Sequence, residues 1–249
     1  MMTERVAVIT GAASGIGRET ALKFARKGDK VVVADFNEEG GRQTVSLIKE
    51  EGGEATFMKV DVSKFEQVEA LVDKAVELYG SIDILHNNAG IGGMKHLLDY
   101  EMEDYDRVIG VNQNGVFYGI LAAGRKMRDL NVKGVIINTA SVFGYIANHG
   151  TFAYQVSKGA VRMMTQTAAL ELAPYGIRVV GVAPGGVDTP IIQGYKDAGL
   201  EEHLKKQQMR QELIRPEAIA NAVYLLSLEE ADVINGSVVM LDDGFASFK

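Results

Sequence analysis

Short apolar runs rich in Val and Ile alternate along the chain with longer segments in which apolar residues recur about every 3.6 positions. The short runs predict seven strands, at 5–10, 30–35, 55–61, 82–88, 134–140, 177–183 and 237–241. The longer segments predict helices at 15–28, 38–52, 64–80, 104–130, 152–175 and 216–227. Strands that are apolar throughout and separated by helices are typical of a parallel sheet covered on both faces. With right-handed crossovers, the pattern predicts an α/β fold with a doubly wound, parallel, seven-stranded sheet.

No segment of the chain has the composition of a linker between domains. There are four prolines, and no stretch is rich in Ser or Gly or carries a long run of charges. We therefore predict one domain over residues 1–249. Residues 190–213 interrupt the alternation with a polar, charged segment that is longer than an ordinary connection. This segment is predicted to be a mobile substrate lid rather than part of the core.

Charge and composition exclude several classes of function. The chain has 26 basic and 33 acidic residues, a net charge of −7, and no basic stripe, so no nucleic-acid partner is predicted. It has no cysteine, which excludes disulfides, thiolate metal ligands and cysteine nucleophiles. The first apolar run, VAVI, is too short for a signal peptide or a membrane span, and no other apolar stretch approaches the roughly 18 residues that a span requires. We expect a cytoplasmic protein that does not bind a membrane.

A glycine-rich turn connects the first predicted strand to the first predicted helix. Glycines at such a turn allow a tight bend, close approach of the backbone to a pyrophosphate, and close packing of helix against strand. The N–H groups at the start of the helix favour a phosphate, so the turn predicts a dinucleotide site, although a plain structural turn has the same composition. The residues concerned are Gly11, Ser14, Gly15, Ile16 and Gly17.

An acidic residue, Asp35, ends the second predicted strand, 18 positions after Gly17. A carboxylate there can accept hydrogen bonds from the adenosine ribose hydroxyls and repels a 2′-phosphate. Neither Ser14 nor Phe36 supplies a positive charge to hold that phosphate. NAD is therefore favoured over NADP, with a role for Asp35 in capping the next helix as the alternative.

Tyr154 and Lys158, in the stretch YQVSK, lie four residues apart in a predicted helix and so on the same face of it. Such a pair on its own is typical of a solvated helix surface. Asn112 within a helix and Ser141 at a strand end also have ordinary structural interpretations. The conjunction of these four residues with the glycine turn favours a catalytic site over coincidence.

The order of these motifs resembles the short-chain dehydrogenase/reductase family, whose fold is of the Rossmann type. The resemblance runs from residue 5 to about 244 and rests on the glycine spacing, NNAG at 87–90, Asn112, Ser141 and YQVSK at 154–158. It implies an NAD-dependent oxidoreductase acting on a secondary alcohol or ketone. It also implies a homotetramer in which helices 104–130 and 152–175 pair across one interface.

The resemblance assigns further residues to the cofactor. Asp61 is expected at the adenine amino group, and Val62 is expected to contribute backbone contacts. Behind the adenosine ribose and diphosphate, the wall is expected to consist of Asn88, Ala89 and Gly90. The segment that holds the nicotinamide carboxamide is expected to include Pro184, Gly185, Val187 and Thr189.

The implied catalytic tetrad is Asn112, Ser141, Tyr154 and Lys158. A free tyrosine has a pKa near about 10, so a nearby ammonium group and the oxidised nicotinamide are expected to lower it toward the working pH. Tyr154 then acts as general base in oxidation and general acid in reduction. Ser141 orients the substrate oxygen, Lys158 also reaches the nicotinamide ribose, and Asn112 holds a water that connects Lys158 to solvent.

The substrate pocket is predicted to be fairly apolar, which favours a cyclic or hydrophobic alcohol. Its candidate residues are Met94, Phe143, Tyr145 and His149, with an exposed loop position as the alternative for His149. The four histidines lack metal-ligand spacing, and no metal is predicted.

Two other functions remain open. A fatty-acid-type 3-oxoacyl-thioester reductase is disfavoured because Tyr175 stands where those enzymes carry an arginine and because no NADP signature is present. A non-enzymatic NAD-sensing protein, or a purely structural protein, is possible on the same fold. The intact tetrad argues against both.

Overall fold

A computed structural model describes residues 4–247 of the chain. Its strands form one seven-stranded sheet in which all neighbours are parallel, in the order β3-β2-β1-β4-β5-β6-β7. The strands are β1 Val6–Thr10, β2 Lys30–Asp35, β3 Ala55–Lys59, β4 Ile84–Asn87, β5 Val135–Thr139, β6 Arg178–Pro184 and β7 Val238–Leu241. The predicted fold class is confirmed, and every predicted strand is present with small differences at its ends.

Helices cover both faces of the sheet. Their bounds are α1 Gly15–Ala25, α2 Glu38–Glu50, α3 Phe65–Tyr79, α4 Met102–Ile109, α5 Gly115–Asp129, α6 Phe152–Leu172, α7 Gln193–Asp197, α8 Glu201–Lys206 and α9 Pro216–Leu226. Two large apolar clusters result, one on each face, because successive side chains of a strand point to opposite faces. Every residue of β1 and of β5 is buried, which explains why these strands are apolar nearly throughout.

The sheet has a switch point between β1 and β4, where the chain leaves one half of the sheet for the other. Val8 of β1 has Val32 of β2 on one side and Leu85 of β4 on the other. In open parallel sheets, a crevice forms at this point beyond the carboxyl ends of the strands. The end of the sheet that carries Thr10, Asp35 and Thr139 is therefore where a ligand is expected.

The long helix predicted over 104–130 is two helices in the structure. A π-helical turn, Gly110–Asn114, separates α4 from α5. Such a turn inserts an extra residue into the helical hydrogen-bond ladder and redirects a side chain, and it is frequent at functional sites. Here it directs the fully buried side chain of Asn112 toward the loop after β4.

The segment at 190–213 contains two short helices, α7 and α8. Ile192 and Leu204 are buried in a small apolar cluster with Val142 and Phe245, so these two side chains pack into a core, while the substrate lid itself stays a prediction. Ile192 stands next to Gln193, and Leu204 stands between His203 and Lys205, so the average polarity of the segment does not indicate these two buried side chains. Within residues 4–247, no helix is long and apolar enough to cross a membrane.

Candidate active site

A single elongated cavity of about 1090 Å³ lies beyond the carboxyl ends of the strands. It runs from the glycine turn at one end to the 190–213 segment at the other. Nearly all predicted site residues line it: Gly11, Ser14, Gly15, Ile16, Asp35, Phe36, Asp61, Val62, Asn88, Ala89, Gly90, Met94, Ser141, Phe143, Tyr154, Lys158, Pro184, Gly185, Val187 and Thr189. Residues that were far apart in the sequence thus form one surface. Gly17, Asn112, Tyr145 and His149 are not among its lining residues.

The glycine turn has the conformation that its composition predicts. Gly11 has a φ of +67° and Gly15 a φ of +51°, values that favour glycine. A Cβ atom on Gly17 would lie 2.1 Å from the carbonyl oxygen of Gly11, so Gly17 permits close packing and does not itself reach the cavity. Ser14 is the N-cap of α1, and its side chain makes no capping hydrogen bond. The N–H groups of the first turn of α1 therefore face the cavity without a side-chain cap.

Asp35 lies at the far end of the cavity, held by two backbone groups. Its carboxylate accepts hydrogen bonds from the N–H of Ala13 and from the N–H of Asn37, both at 2.8 Å. The residue that caps α2 is Asn37, whose side chain accepts from Gly40 N–H, so the capping alternative for Asp35 is wrong. These contacts fix the orientation of the carboxylate at the edge of the site.

Two cations near this end were missed by sequence reasoning. Lys59 Nζ lies 5.8 Å from the centre of the Phe36 ring, which is 69% exposed. Arg18 donates hydrogen bonds to the carbonyl oxygen of Ala13 and to Thr44 Oγ1. The parallel register, which places Lys59 beside Asp35, was the available signal for Lys59.

The turn after β4 is tied to the end of β1 through Thr10. Its hydroxyl oxygen accepts hydrogen bonds from the N–H of Asn88 at 3.0 Å and of Ala89 at 3.1 Å. The Asn88 side chain donates in return to the carbonyl oxygens of Thr10 and Gly11. Thr10 was not a predicted site residue, although a hydroxyl at a strand's carboxyl end was a usable signal. These bonds make the NNAG turn a fixed wall of the cavity.

Tyr154 and Lys158 lie on one face of α6 and both line the cavity, Lys158 buried and Tyr154 partly exposed. Lys158 Nζ donates to the carbonyl oxygen of Thr139 at 2.7 Å and lies 5.6 Å from the centre of the Tyr154 ring. Burial disfavours the charged form of each group and lowers the pKa of Lys158 to about 8. The same effect raises the pKa of Tyr154 to about 12, against the opposing hydrogen bond with Ser141.

The raised pKa of Tyr154 differs in direction from the sequence-based expectation. Sequence reasoning counted the ammonium group of Lys158 but not the loss of water around a phenol that the protein largely encloses. In the protein chain alone, the phenol is therefore neutral at physiological pH. Ser141 at the end of β5 is also buried, and its hydroxyl oxygen accepts from the N–H of Phe143 at 3.2 Å.

Asn112 contacts the loop after β4 rather than the cavity itself. Its side-chain oxygen accepts from Ile91 N–H at 2.8 Å, and its side-chain nitrogen donates to the Ile91 carbonyl oxygen at 2.9 Å and to Ser157 Oγ at 3.3 Å. These bonds join the π-helical turn, the NNAG loop and α6. The role expected for Asn112 in holding a water stays a prediction.

His86 is a buried polar residue under the catalytic helix that sequence reasoning did not assign. Its Nε2 lies 2.9 Å from Thr139 Oγ1, and among residues 4–247 its Nδ1 has no hydrogen-bond partner. Burial, aided by the nearby charge of Lys158, lowers the pKa of His86 to about 3. His86 is therefore neutral wherever the fold is intact near neutral pH.

The other end of the cavity, next to Tyr154, is apolar. Its walls include Met94, Phe143, Ile192, Leu204 and Phe245, and the ring of Phe143 meets those of Tyr154 and Phe245 edge to face. Tyr195 on α7 also lines this end and was not predicted. The acidic side chains that line the cavity, Asp35, Asp61 and Asp106, are in β2, in the turn after β3 and in α4, outside the elements that form this end.

Two candidate substrate residues lie elsewhere. The Tyr145 ring faces the guanidinium group of Arg162 at 4.7 Å on the outside of the molecule. His149 lines a separate shallow depression together with Lys95 and Leu98. Both residues are in the predicted loop, but the loop directs these side chains away from the cavity.

Comparisons with known proteins find similar sequences and structures over nearly the whole chain. The family model described as enoyl-(acyl carrier protein) reductase matches residues 11–246. Glucose 1-dehydrogenase 2 from Bacillus subtilis is 36% identical, over 99% of this chain and 96% of its own length. Cyclopentanol dehydrogenase from Comamonas sp. is 35% identical, over 99% of this chain and 98% of its own. The crystal structure of a short-chain type dehydrogenase/reductase from Mycobacterium marinum, 33% identical, superposes with a TM-score of 0.94 and covers 98% of this chain and 96% of that one.

Proposed function

The chain belongs to the short-chain dehydrogenase/reductase family, and from that premise we propose that it oxidises an uncharged secondary alcohol with NAD and reduces the corresponding ketone. Members of this family are oxidoreductases that use a nicotinamide cofactor. The observation that carries the proposal is the pair of Tyr154 and Lys158 on one face of α6, both lining the cavity that the glycine turn and an apolar end also line. A screen of secondary alcohols with NAD and NADP side by side tests it.

The residues present fit a dinucleotide. The uncapped N–H groups at the start of α1 are suited to the pyrophosphate, and the oriented carboxylate of Asp35 to the ribose hydroxyls. Asp61 is proposed to meet the adenine amino group. The nicotinamide carboxamide would be held by the segment after β6, with Pro184, Gly185, Val187 and Thr189.

NAD, when bound, would supply the acceptor for the hydride that leaves the alcohol carbon. Tyr154 takes the hydroxyl proton, so that the O–H and C–H bonds of the substrate are replaced by a carbonyl double bond. Ser141, which hydrogen-bonds Tyr154, orients the substrate oxygen. In the reduction direction, Tyr154 donates the proton to the carbonyl oxygen.

The buried phenol needs positive charge around it to lose its proton. Burial raises the pKa of Tyr154 to about 12, so the proposed base requires the ammonium group of Lys158 together with the positive charge of the oxidised nicotinamide. Lys158 is held in place for this by its 2.7 Å hydrogen bond to the Thr139 carbonyl. We infer that the charge of Lys158 stabilises the phenolate of Tyr154, and that Tyr154 transfers the proton to and from the substrate.

We propose an uncharged substrate because apolar side chains form the walls of this end of the cavity. Burying a carboxylate or phosphate beside Met94, Phe143 and Phe245 costs several kcal/mol unless a cation meets it. Lys158 lines the cavity, but its ammonium group lies 2.7 Å from the Thr139 carbonyl oxygen and 5.6 Å from the centre of the Tyr154 ring, where the proposed reaction requires its charge. The name of one relative, cyclopentanol dehydrogenase, supports this class of substrate, and that of another, glucose 1-dehydrogenase 2, supports an uncharged alcohol more generally.

An acyl-carrier-protein reductase is a second candidate, because the description of the matching family model names that activity. Such an enzyme binds an acidic carrier, and the chain's net charge of −7 disfavours that partner. An assay with acyl thioesters decides between this activity and alcohol oxidation.

A non-enzymatic NAD-sensing protein is contradicted by turnover of any alcohol in the screen.

We also propose a homotetramer, on the strength of the resemblance and of exposed apolar side chains on the two long helices. Phe117 on α5 and Met163 and Leu170 on α6 are all exposed, Leu170 by 78%. Apolar patches of this kind mark interaction surfaces. Light scattering of the purified protein measures the assembly directly.

A further inference from the structure

Two segments meet beside the apolar end of the cavity at the hydroxyl group of Tyr195, which hydrogen-bonds with the side chains of Asn148 and Thr151. The Asn148 side-chain nitrogen, in the loop after β5, donates to the hydroxyl oxygen of Tyr195 on α7 at 3.0 Å. Asn148 is itself held, because Gln155 on α6 donates to its carbonyl oxygen at 2.6 Å. Gln155 is the neighbour of Tyr154 in the chain, so the bond connects the lid to the catalytic helix.

Tyr195 is part of the wall of the substrate end. It lines the cavity, more than half of its side chain is buried, and it lies close enough to Tyr154 to raise the pKa of that phenol. Its ring is held at two ends, by the backbone of α7 and by the hydroxyl contacts with Asn148 and Thr151. A ring so held cannot swing away from the cavity unless both hydroxyl contacts break.

The lid that carries Tyr195 is fixed on several sides. Lys196, the next residue, pairs with Asp188 at 2.8 Å, at the start of the lid. Ile191 packs on Gly92, where an added Cβ would lie only 3.1 Å from the Ile191 side chain. At the other end of the lid, Ile214 N–H donates to the carbonyl oxygen of Gly186 at 2.9 Å. The position of the Tyr195 ring is therefore defined by the fold and not by a free loop.

We propose that Tyr195 is the specificity-determining residue of this site, limiting the substrate to compact secondary alcohols of about one ring. The inference rests on the proposed function, since it concerns the same cavity and the same reaction. Tyr195 lines the same cavity as Tyr154 and Phe143, so we expect its ring to limit the room for a second fused ring. Removing the ring opens that space, whereas removing only the hydroxyl frees the ring without deleting it.

The test compares kcat/KM for cyclohexanol and for the fused bicyclic decahydro-2-naphthol, with NAD. Tyr195→Ala is expected to raise the ratio of bicyclic to monocyclic turnover by about tenfold or more, the range seen when pocket volume alone discriminates. Tyr195→Phe and Asn148→Ala keep the ring and break the hydrogen bond, and are expected to raise the ratio by a smaller factor. The matched control is Tyr145→Ala, which removes a tyrosine outside the cavity and leaves the ratio unchanged.

The outcomes separate the inference from the function on which it rests. An unchanged ratio in Tyr195→Ala, in a wild-type protein that oxidises cyclohexanol, overturns the role of Tyr195 and leaves the proposed function standing. A wild-type protein that oxidises no secondary alcohol overturns the proposed function and the inference with it. If Tyr195→Ala does not fold, Tyr195→Phe decides, because it removes both hydroxyl contacts of the ring, and an unchanged ratio there contradicts the inference. NADH binding measured by fluorescence shows for each variant that the cofactor end is intact.

Discussion

The ammonium nitrogen of Lys158 lies 5.6 Å from the centre of the Tyr154 ring, one turn away on the same face of α6. Lys158 is buried and Tyr154 partly buried, and the loss of water moves their pKa values in opposite directions, down to about 8 for Lys158 and up to about 12 for Tyr154. Burial therefore disfavours the ammonium form of Lys158 and the phenolate form of Tyr154, the two charged forms that the proposed reaction requires. These two groups therefore lower the stability of the folded state, as perturbed ionisable groups in active sites commonly do.

Replacing Lys158 by Met is expected to stabilise the fold while removing activity. The lowered pKa means that the unfolded chain binds more protons between about pH 10.5 and 8, so the lysine destabilises the native state progressively as the pH falls through that window and fully below it. At pH 7, Lys158→Met should raise the free energy of unfolding by roughly 1–3 kcal/mol. Urea unfolding measures this, and a variant less stable than wild type contradicts the burial argument.

Cofactor choice is predicted to depend on Asp35. Asp35→Ala removes the carboxylate that repels a 2′-phosphate, while Arg18 and Lys59 stay nearby. The ratio of kcat/KM for NADP to that for NAD should rise by about tenfold or more, equivalent to at least about 1.4 kcal/mol. Asp61→Ala is the matched control, because it is expected to weaken both cofactors alike. A ratio that Asp35→Ala leaves unchanged shows that Asp35 does not select NAD.

His86 is predicted to make the fold sensitive to acid. Its pKa is lowered to about 3, below the ordinary value of 6.5, so the unfolded chain binds the proton first and stability falls as the pH drops from 6.5 toward 3. The loss is up to about 1.4 kcal/mol per pH unit. His86→Gln should reduce the slope of unfolding free energy against pH in this window, and His203→Gln, at an exposed position, should not. Equal slopes in wild type and His86→Gln would contradict the assignment.

The parts of the site that sequence reasoning predicted are those set by strand ends. Gly11 and Ser141 come just after an apolar strand, and Asp35 is the last residue of one. Parallel strands bring their carboxyl ends to one edge of the sheet. Tyr154 and Lys158 were predicted together because helical spacing alone places them on one face. In these cases a local pattern determines the position of the side chain.

The residues that were missed or misplaced depend on how irregular segments fold back. Tyr195 reaches the cavity because α7 returns over it, and no periodicity in the lid indicates that return. Tyr145 and His149 lie in the loop that was predicted, but loop side chains alternate between inside and outside without a rule in the sequence. Likewise, the contact between Asn112 and Ile91 depends on a π-helical turn that helix propensities do not indicate.

The central claim is that Tyr154 transfers the proton, and Tyr154→Phe tests it most directly. The substitution keeps the ring beside Phe143 and removes only the hydroxyl. With cyclohexanol, or the best alcohol found in the screen, and NAD, kcat should fall by about 10²–10⁴-fold. NADH binding by fluorescence titration and the activity of the control Tyr145→Phe should stay close to wild type. A Tyr154→Phe protein that keeps full turnover would contradict the account.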